Sequence, residues 1–189
     1  VLRCWYHPEA CKLVINVLFV CIGNSCRSQM AEGFARKYGS DVIAAWSAGL
    51  APAPIVQPLT IEVMRQKNID IQDQFPKSIH ELELNAFDVI FNMSGVPLPA
   101  LIRAEVRVWN VMDPMTQPEE VYVRVRDQIE GLLMQYILEV RRRLNREGIP
   151  GSAPARPLIP RPEAAQVAGK TSTPSPQRYG FSRVRRARD

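Results

Sequence analysis

The chain has 189 residues, 46% of them apolar, and a formal net charge of +5. That length supports one domain with a sizeable core, and no stretch approaches the ~20 apolar residues of a membrane-spanning helix. The charge excess sits at one end: residues 1–146 carry 16 Lys+Arg against 16 Asp+Glu, and residues 147–189 carry 8 against 3, which excludes a broad basic nucleic-acid surface on the folded part.

Residues 1–13 show no hydrophobic period and read as an N-terminal extension. The apolar run Val14 to Val20 reads as a buried parallel strand. Leu13 to Ile22 lacks the cleavage pattern of a signal peptide. A tight loop follows, and then helix formers from Arg27 to Lys37, closed by Tyr38-Gly39-Ser40. Val42 to Trp46 is the second strand, closing with Ser47-Ala48-Gly49. Pro58 suits the first turn of a second helix running to about Lys67, with Leu59, Val63 and Met64 on one face. Asn68 to Asp73 is a connector, and Ile79 to Leu84 a short helical segment. Phe87 to Met93 and Val106 to Trp109 are strands three and four, separated by a short helix or loop around Ala100 to Arg103.

Pro118 opens a long helix to about Arg146, with Glu119 and Glu120 in its first turn and Arg141 to Arg143 near its last, both complementing the helix dipole. Apolar residues at 121, 125, 129, 132, 133, 136, 137, 140 and 144 mark its core face; Arg124, Arg126, Asp127 and Glu130 are expected on a solvated face. From 147 to 189 the chain is rich in Pro, Ala, Ser, Thr and Arg and reads as a disordered tail. Strands alternating with helices predict an α/β three-layer sandwich over residues 14–146, with a four-stranded parallel sheet and helices on both faces. Ligands of such sheets bind at the carboxyl ends of the strands.

The loop Cys21-Ile22-Gly23-Asn24-Ser25-Cys26-Arg27-Ser28 lies at such an end. Strand, tight loop and helix N-terminus together make an anion cradle, because loop and first-turn N–H groups converge there and the helix dipole adds positive potential. A cysteine at its mouth is a candidate nucleophilic thiolate, and the bland alternative is a buried, inert cysteine. Arg27 can hold a tetrahedral oxyanion with two parallel hydrogen bonds. Ser28 can donate to the Cys21 sulfur, and Asn24 tolerates the left-handed backbone expected after Gly23. The alternative for Ser28 is a helix-turn serine. Four cysteines, Cys4, Cys11, Cys21 and Cys26, in a chain with this much apolar content read as cytoplasmic thiols rather than a secreted disulfide framework. His7 and His80 have no metal-ligand spacing, so no metal or cofactor is expected.

The thirteen residues from Cys21 to Gly33 resemble the phosphate-binding loop of the low-molecular-weight protein tyrosine phosphatases and of the arsenate reductases that share their fold. The resemblance covers roughly residues 14 to 145. It implies that Cys21 is the nucleophile, that Ile22, Gly23, Asn24, Ser25, Cys26 and Arg27 bind the oxyanion, and that Ser47 hydrogen-bonds Asn24. It implies that Asp113 of the Asp113-Pro114 pair is the general acid, at the same sheet edge after the fourth strand. Cys26 is either a redox partner that shields Cys21 in a disulfide or a small packing residue. Lys77 falls near a position where some reductases carry an acidic ligand for potassium, and its ammonium would fill that role internally.

Within this family two activities compete. Ser25 and Gln29-Met30-Ala31-Glu32-Gly33 lean towards the reductases. Met93 to Pro99, however, carries none of the cysteines that thioredoxin-coupled members place after the third strand, and Cys4 and Cys11 precede the first strand, at the far end of the sheet. Met115 and Thr116 stand where tyrosine phosphatases place aromatics, and Leu50 stands at another such place. The balance at this level predicts a cytoplasmic phosphatase hydrolysing phosphomonoesters, protein phosphotyrosine among them, through a phosphocysteine. The alternative is an arsenate reductase with the same cysteine loop and an external thiol. Expected partners are accordingly a phosphorylated protein or a small phosphate or arsenate oxyanion, with thioredoxin or another thiol reductant for the second reading.

Overall fold

The computed structural model describes residues 14–99 and 102–147. The extension expected over 1–13 and the tail expected over 147–189 lie outside them, save Glu147 at a helix end. The short element expected around Ala100 to Arg103 is only partly inside.

In chain order the elements are β1 (Ile15–Cys21), α1 (Arg27–Tyr38), β2 (Ile43–Gly49), α2 (Pro58–Arg65), β3 (Val89–Asn92), β4 (Glu105–Val108) and α3 (Glu119–Arg146). Two short 3-10 helices, Ile79–Glu81 and Leu84–Ala86, precede β3. The strands form one parallel sheet in the order β2-β1-β3-β4. β1 is central and buried on both faces, which is why its sequence is a nearly unbroken apolar run.

The alternation of β1 divides the core. Ile15, Val17, Phe19 and Cys21 point into the cluster shared with α1, α2 and α3, whereas Leu18 and Val20 pack with Ile79, Phe87 and Ile90 under the 3-10 helices. The sheet therefore has helical cover on both faces, as expected, with the long helices on one and 3-10 turns on the other. Phe91 anchors the larger core: its ring lies 4.1 Å from Trp109, 4.8 Å from Tyr136 and 5.6 Å from Phe19.

The α3 apolar face lies inward, but two of its residues depart from expectation. Tyr122 is buried with it, and so is Arg126, a residue expected on the solvated face. Arg126 Nη1 donates to the Val63 carbonyl and to Gln66 Oε1, both at 2.9 Å, while Asp127 balances its charge. Those carbonyl and amide acceptors come from the end of α2, so the seam between α2 and α3 is polar where a helix-wheel argument sees only a charged side chain.

Candidate active site

The eight-residue cysteine loop leaves β1 at its carboxyl end, where β2 lies on one side and β3 on the other. The next strand in sequence pairs to one side and the one after it to the opposite side, so this is the switch point of the sheet. Register puts Cys21 beside Gly49. The first turn of α1 has no side-chain cap, which leaves its N–H groups facing the loop.

A buried network holds the loop. Asn24 adopts φ 47°, in the left-handed region. Its Oδ1 accepts from Lys77 N at 2.7 Å, which sets the orientation of the amide. Its Nδ2 then donates to Ser28 Oγ and to Ser47 Oγ, both at 2.8 Å. Because Ser28 Oγ accepts from Asn24, its own proton is free for the Cys21 sulfur 3.0 Å away. Ser47 Oγ donates to Glu32, a fully buried carboxylate that also pairs with Arg36 and lies 3.6 Å from Lys77 Nζ. Burial pulls the Lys77 ammonium below its ordinary pKa, against the pull of Glu32.

Arg27 is almost fully buried, and its five N–H donors can be counted. Nη1 donates to the Met93 carbonyl at 2.7 Å and the Val111 carbonyl at 3.3 Å. Nη2 pairs with Asp113, which is half exposed. Nε has no acceptor among the described residues. One Nη2 proton and the Nε proton thus remain, two donors on one planar group that match two oxygens of a tetrahedral oxyanion. Asp113 also accepts from Met115 N.

Cys26 takes a different position. It is buried behind the loop, with Sγ 3.7 Å from Ser25 Oγ and 3.9 Å from Tyr122 OH. Burial pushes its thiol pKa up, and burial likewise pushes Tyr122 up to about 12. Ile22 is exposed; Ser25 is buried. Among the described residues no group of three His, Cys, Asp or Glu side chains could hold a metal. No helix among them is long and apolar enough to cross a membrane.

Four residues outside the expected catalytic and oxyanion-binding set belong to the frame of the site. Glu32, which lies in the reductase-like flank of the loop, accepts from Ser47, and Lys77, expected to put its ammonium where some reductases hold potassium, brings Nζ to 3.6 Å from Glu32. Gln29 donates to the Asn24 carbonyl at 2.8 Å and the Phe75 carbonyl at 3.1 Å, strapping the loop to the 73–77 segment. Gly49 lies so close that a Cβ would sit 2.7 Å from the Ile22 oxygen and 2.9 Å from Asn24 N. The signal for Gly49 was its place at the end of a strand, next to the loop in the sheet. Gly49→Ala is expected to cost about 1–3 kcal/mol through backbone displacement, read as a fall in the thermal midpoint; an unchanged midpoint would contradict the close approach.

Comparison with known proteins bears on the chemistry. Residues 16–147 match the family model of the low molecular weight phosphotyrosine protein phosphatases. The chain is 36% identical over 129 residues to the glutaredoxin arsenate reductase of Synechocystis sp., covering 66% of this chain and 98% of the relative. It is 38% identical over 132 residues to an arsenate reductase of Shouchella clausii, covering 64% and 93%. A solved arsenate reductase in the phosphate-binding state superposes with a TM-score of 0.64 at 36% identity, covering 67% of this chain and 99% of the other. These similarities overturn the expectation of a phosphomonoester hydrolase acting on phosphotyrosine. The physical reason is that the oxyanion loop cannot tell arsenate from phosphate, which share shape and charge, so the expectation turned on the cysteines missing from Met93 to Pro99; those bear on an internal disulfide cascade and leave reduction by an external thiol open.

Proposed function

Given that the chain belongs to the low molecular weight phosphotyrosine protein phosphatase family, an enzyme family, we propose that it reduces arsenate to arsenite with an external thiol of the glutaredoxin type. What supports this above all is similarity across 98% of the length of the Synechocystis glutaredoxin arsenate reductase. The site geometry is compatible with each step.

The Cys21 thiolate attacks arsenic(V); an S–As bond forms and one As–O bond breaks, its oxygen leaving as water. Asp113 stands at the mouth, paired with Arg27, where it can supply a proton to that oxygen. Arg27 Nε and Nη2, together with the N–H groups of residues 22–27, hold the remaining oxygens. The Ser28 hydroxyl stabilises the sulfur as a thiolate before attack and again when disulfide exchange releases it. An external thiolate then attacks the Cys21 sulfur: an S–S bond forms, the S–As electron pair goes to arsenic, and arsenite departs as arsenic(III). A second external thiol exchanges the mixed disulfide and restores Cys21. Overall, arsenate and two thiols give arsenite, a disulfide and water.

An internal second thiol fits less well. Cys26 is the other cysteine among the described residues, and it is buried with its thiol held in the protonated form by desolvation, the wrong state for attack. Cys4 and Cys11 lie outside the described residues. Thiol chemistry of this kind belongs in a reducing compartment, and the cytoplasm is the proposed location.

The test is arsenite production by the full chain with glutathione and glutaredoxin. Wild type and a Cys4→Ser/Cys11→Ser double variant are expected to turn over within about two-fold of each other, since neither thiol enters the cycle. Loss of turnover in the double variant would transfer the second thiol to the N-terminal segment. No arsenite with any thiol donor would defeat the reductase reading.

A further inference from the structure

The cycle above requires a second sulfur to reach Cys21 from outside, so whatever carries it must cover the mouth of the loop. The segments that brace the loop carry exposed apolar side chains that arsenate does not explain. Among the described residues, Ile22, Ile55, Phe75 and Met112 are large apolar side chains left exposed, Phe75 by 47% and Ile55 by 59%. All four belong to segments bonded directly to the cysteine loop. Ile22 follows Cys21. Ile55 sits between Ala53, whose N–H donates to the Gly23 carbonyl at 2.9 Å, and Gln57, whose N–H donates to the Ser25 carbonyl at 3.0 Å. Phe75 offers the carbonyl that takes Gln29 Nε2. Met112 lies between Val111 and Asp113, which both hold Arg27.

These side chains are carried on fixed backbone. Lys77 Nζ lies 4.8 Å from the Phe75 ring centroid and 3.0 Å from the Phe75 carbonyl, a cation–π contact that holds the ring while it stays in water. Arsenate is wholly polar and gains nothing from such a rim. Protein interfaces do: their centres are poor in charge and rich in aromatic residues and Met, and redox encounters are the small ones, under about 1,200 Å².

We propose that Ile55, Phe75 and Met112 form the docking rim for a small redox protein with a surface dithiol, which presents its sulfur to Cys21 at their centre. The proposal rests on the reductase reading and names the surface that partner uses. It also separates two thiol sources by size: a small soluble thiol enters without touching the rim, and a protein does not.

The experiment measures arsenite formation by the full chain with two reductants, dithiothreitol alone and glutaredoxin recycled by glutathione. The variants are Ile55→Ser/Phe75→Ser and, separately, Met112→Ser. Turnover with dithiothreitol and the KM for arsenate are expected to stay within about two-fold of wild type, and the KM for glutaredoxin to rise at least ten-fold. The dithiothreitol arm doubles as the folding control, and the Met112→Ser variant repeats the test on a second segment. An unchanged KM for glutaredoxin with intact dithiothreitol turnover would overturn the rim. So would a wild-type dimer that the double variant dissociates while that KM stays the same, which would give the surface to a second copy of the chain. If wild type makes no arsenite with either reductant, the reductase reading itself has failed and the rim falls with it.

Discussion

Cys21→Ser is expected to reduce arsenite formation to background, a loss of at least about 10⁴-fold. The argument is stronger than a loss of nucleophilicity. The second step of the proposed cycle forms an S–S bond at the atom that first attacked arsenic, and an oxygen there cannot enter a disulfide. The electron pair then has no route to arsenic, whichever reductant is supplied. Serine is close to isosteric, its hydroxyl can keep the contact that Cys21 Sγ makes with Ser28 Oγ at 3.0 Å, and the loop N–H groups are untouched. Phosphate binding by calorimetry should therefore persist while turnover vanishes. Residual thiol-dependent turnover above background would show that another cysteine attacks arsenic.

Arg27→Lys is the second large expected effect, a fall of about 10²–10³-fold in kcat/KM for arsenate, the size seen when a preorganised oxyanion donor is removed. The substitution keeps the charge and loses the geometry. Arg27 binds the Met93 and Val111 carbonyls and Asp113 at once, and still retains its Nε donor. A lysine ammonium has three donors and no fork, so it cannot both anchor to those carbonyls and hold two oxyanion oxygens. The ends of β3 and of the segment after β4 lose a shared anchor, so the thermal midpoint should fall as well. The kinetic readout, taken with dithiothreitol well below the midpoint, separates the two effects. A change in kcat/KM smaller than about three-fold would remove Arg27 from oxyanion binding.

The network around Asn24 explains why the loop is rigid enough for this chemistry. Asn24 is one residue, yet it serves the strap at Lys77, the hydroxyl beside Cys21 and the hydroxyl on β2. Its left-handed backbone makes this possible by turning the side chain back under the loop. Glu32 is buried beneath it because two cations and a hydroxyl surround its oxygens; a buried carboxylate is tolerated only when satisfied in that way. The Lys77 ammonium completes this arrangement from within the chain.

Much of the molecule was legible from residue order because the determining interactions are local or periodic. An apolar run that fills a central parallel strand is visible as a run, and α3 shows its inward face by spacing. The cysteine loop is eight consecutive residues, so its cysteine, its arginine and its helix N-terminus could be read together. Element ends moved by a residue or two, as with β3, which is Val89–Asn92 rather than Phe87 to Met93, because strand ends depend on the partner strand.

What the chain order did not reveal depends on residues brought together from far apart. Arg126 looked solvated until the end of α2 supplied its acceptors, 60 and 63 positions away. The constraint on Gly49 arises only because the sheet sets it against Ile22 and Asn24. Glu32, Gln29 and Lys77 joined the site through contacts across 15, 46 and 53 positions. The choice between two chemistries lies beyond the loop, since an oxyanion cradle answers to shape and charge, which arsenate and phosphate share; the domain's similarity to arsenate reductases favours one of them. Residue order was enough for the parallel sheet and the thiol-bearing cradle, because both are built from contiguous residues. How that cradle is held became visible only in the folded chain, because its hydrogen-bond partners come from loops that meet at one edge of the sheet.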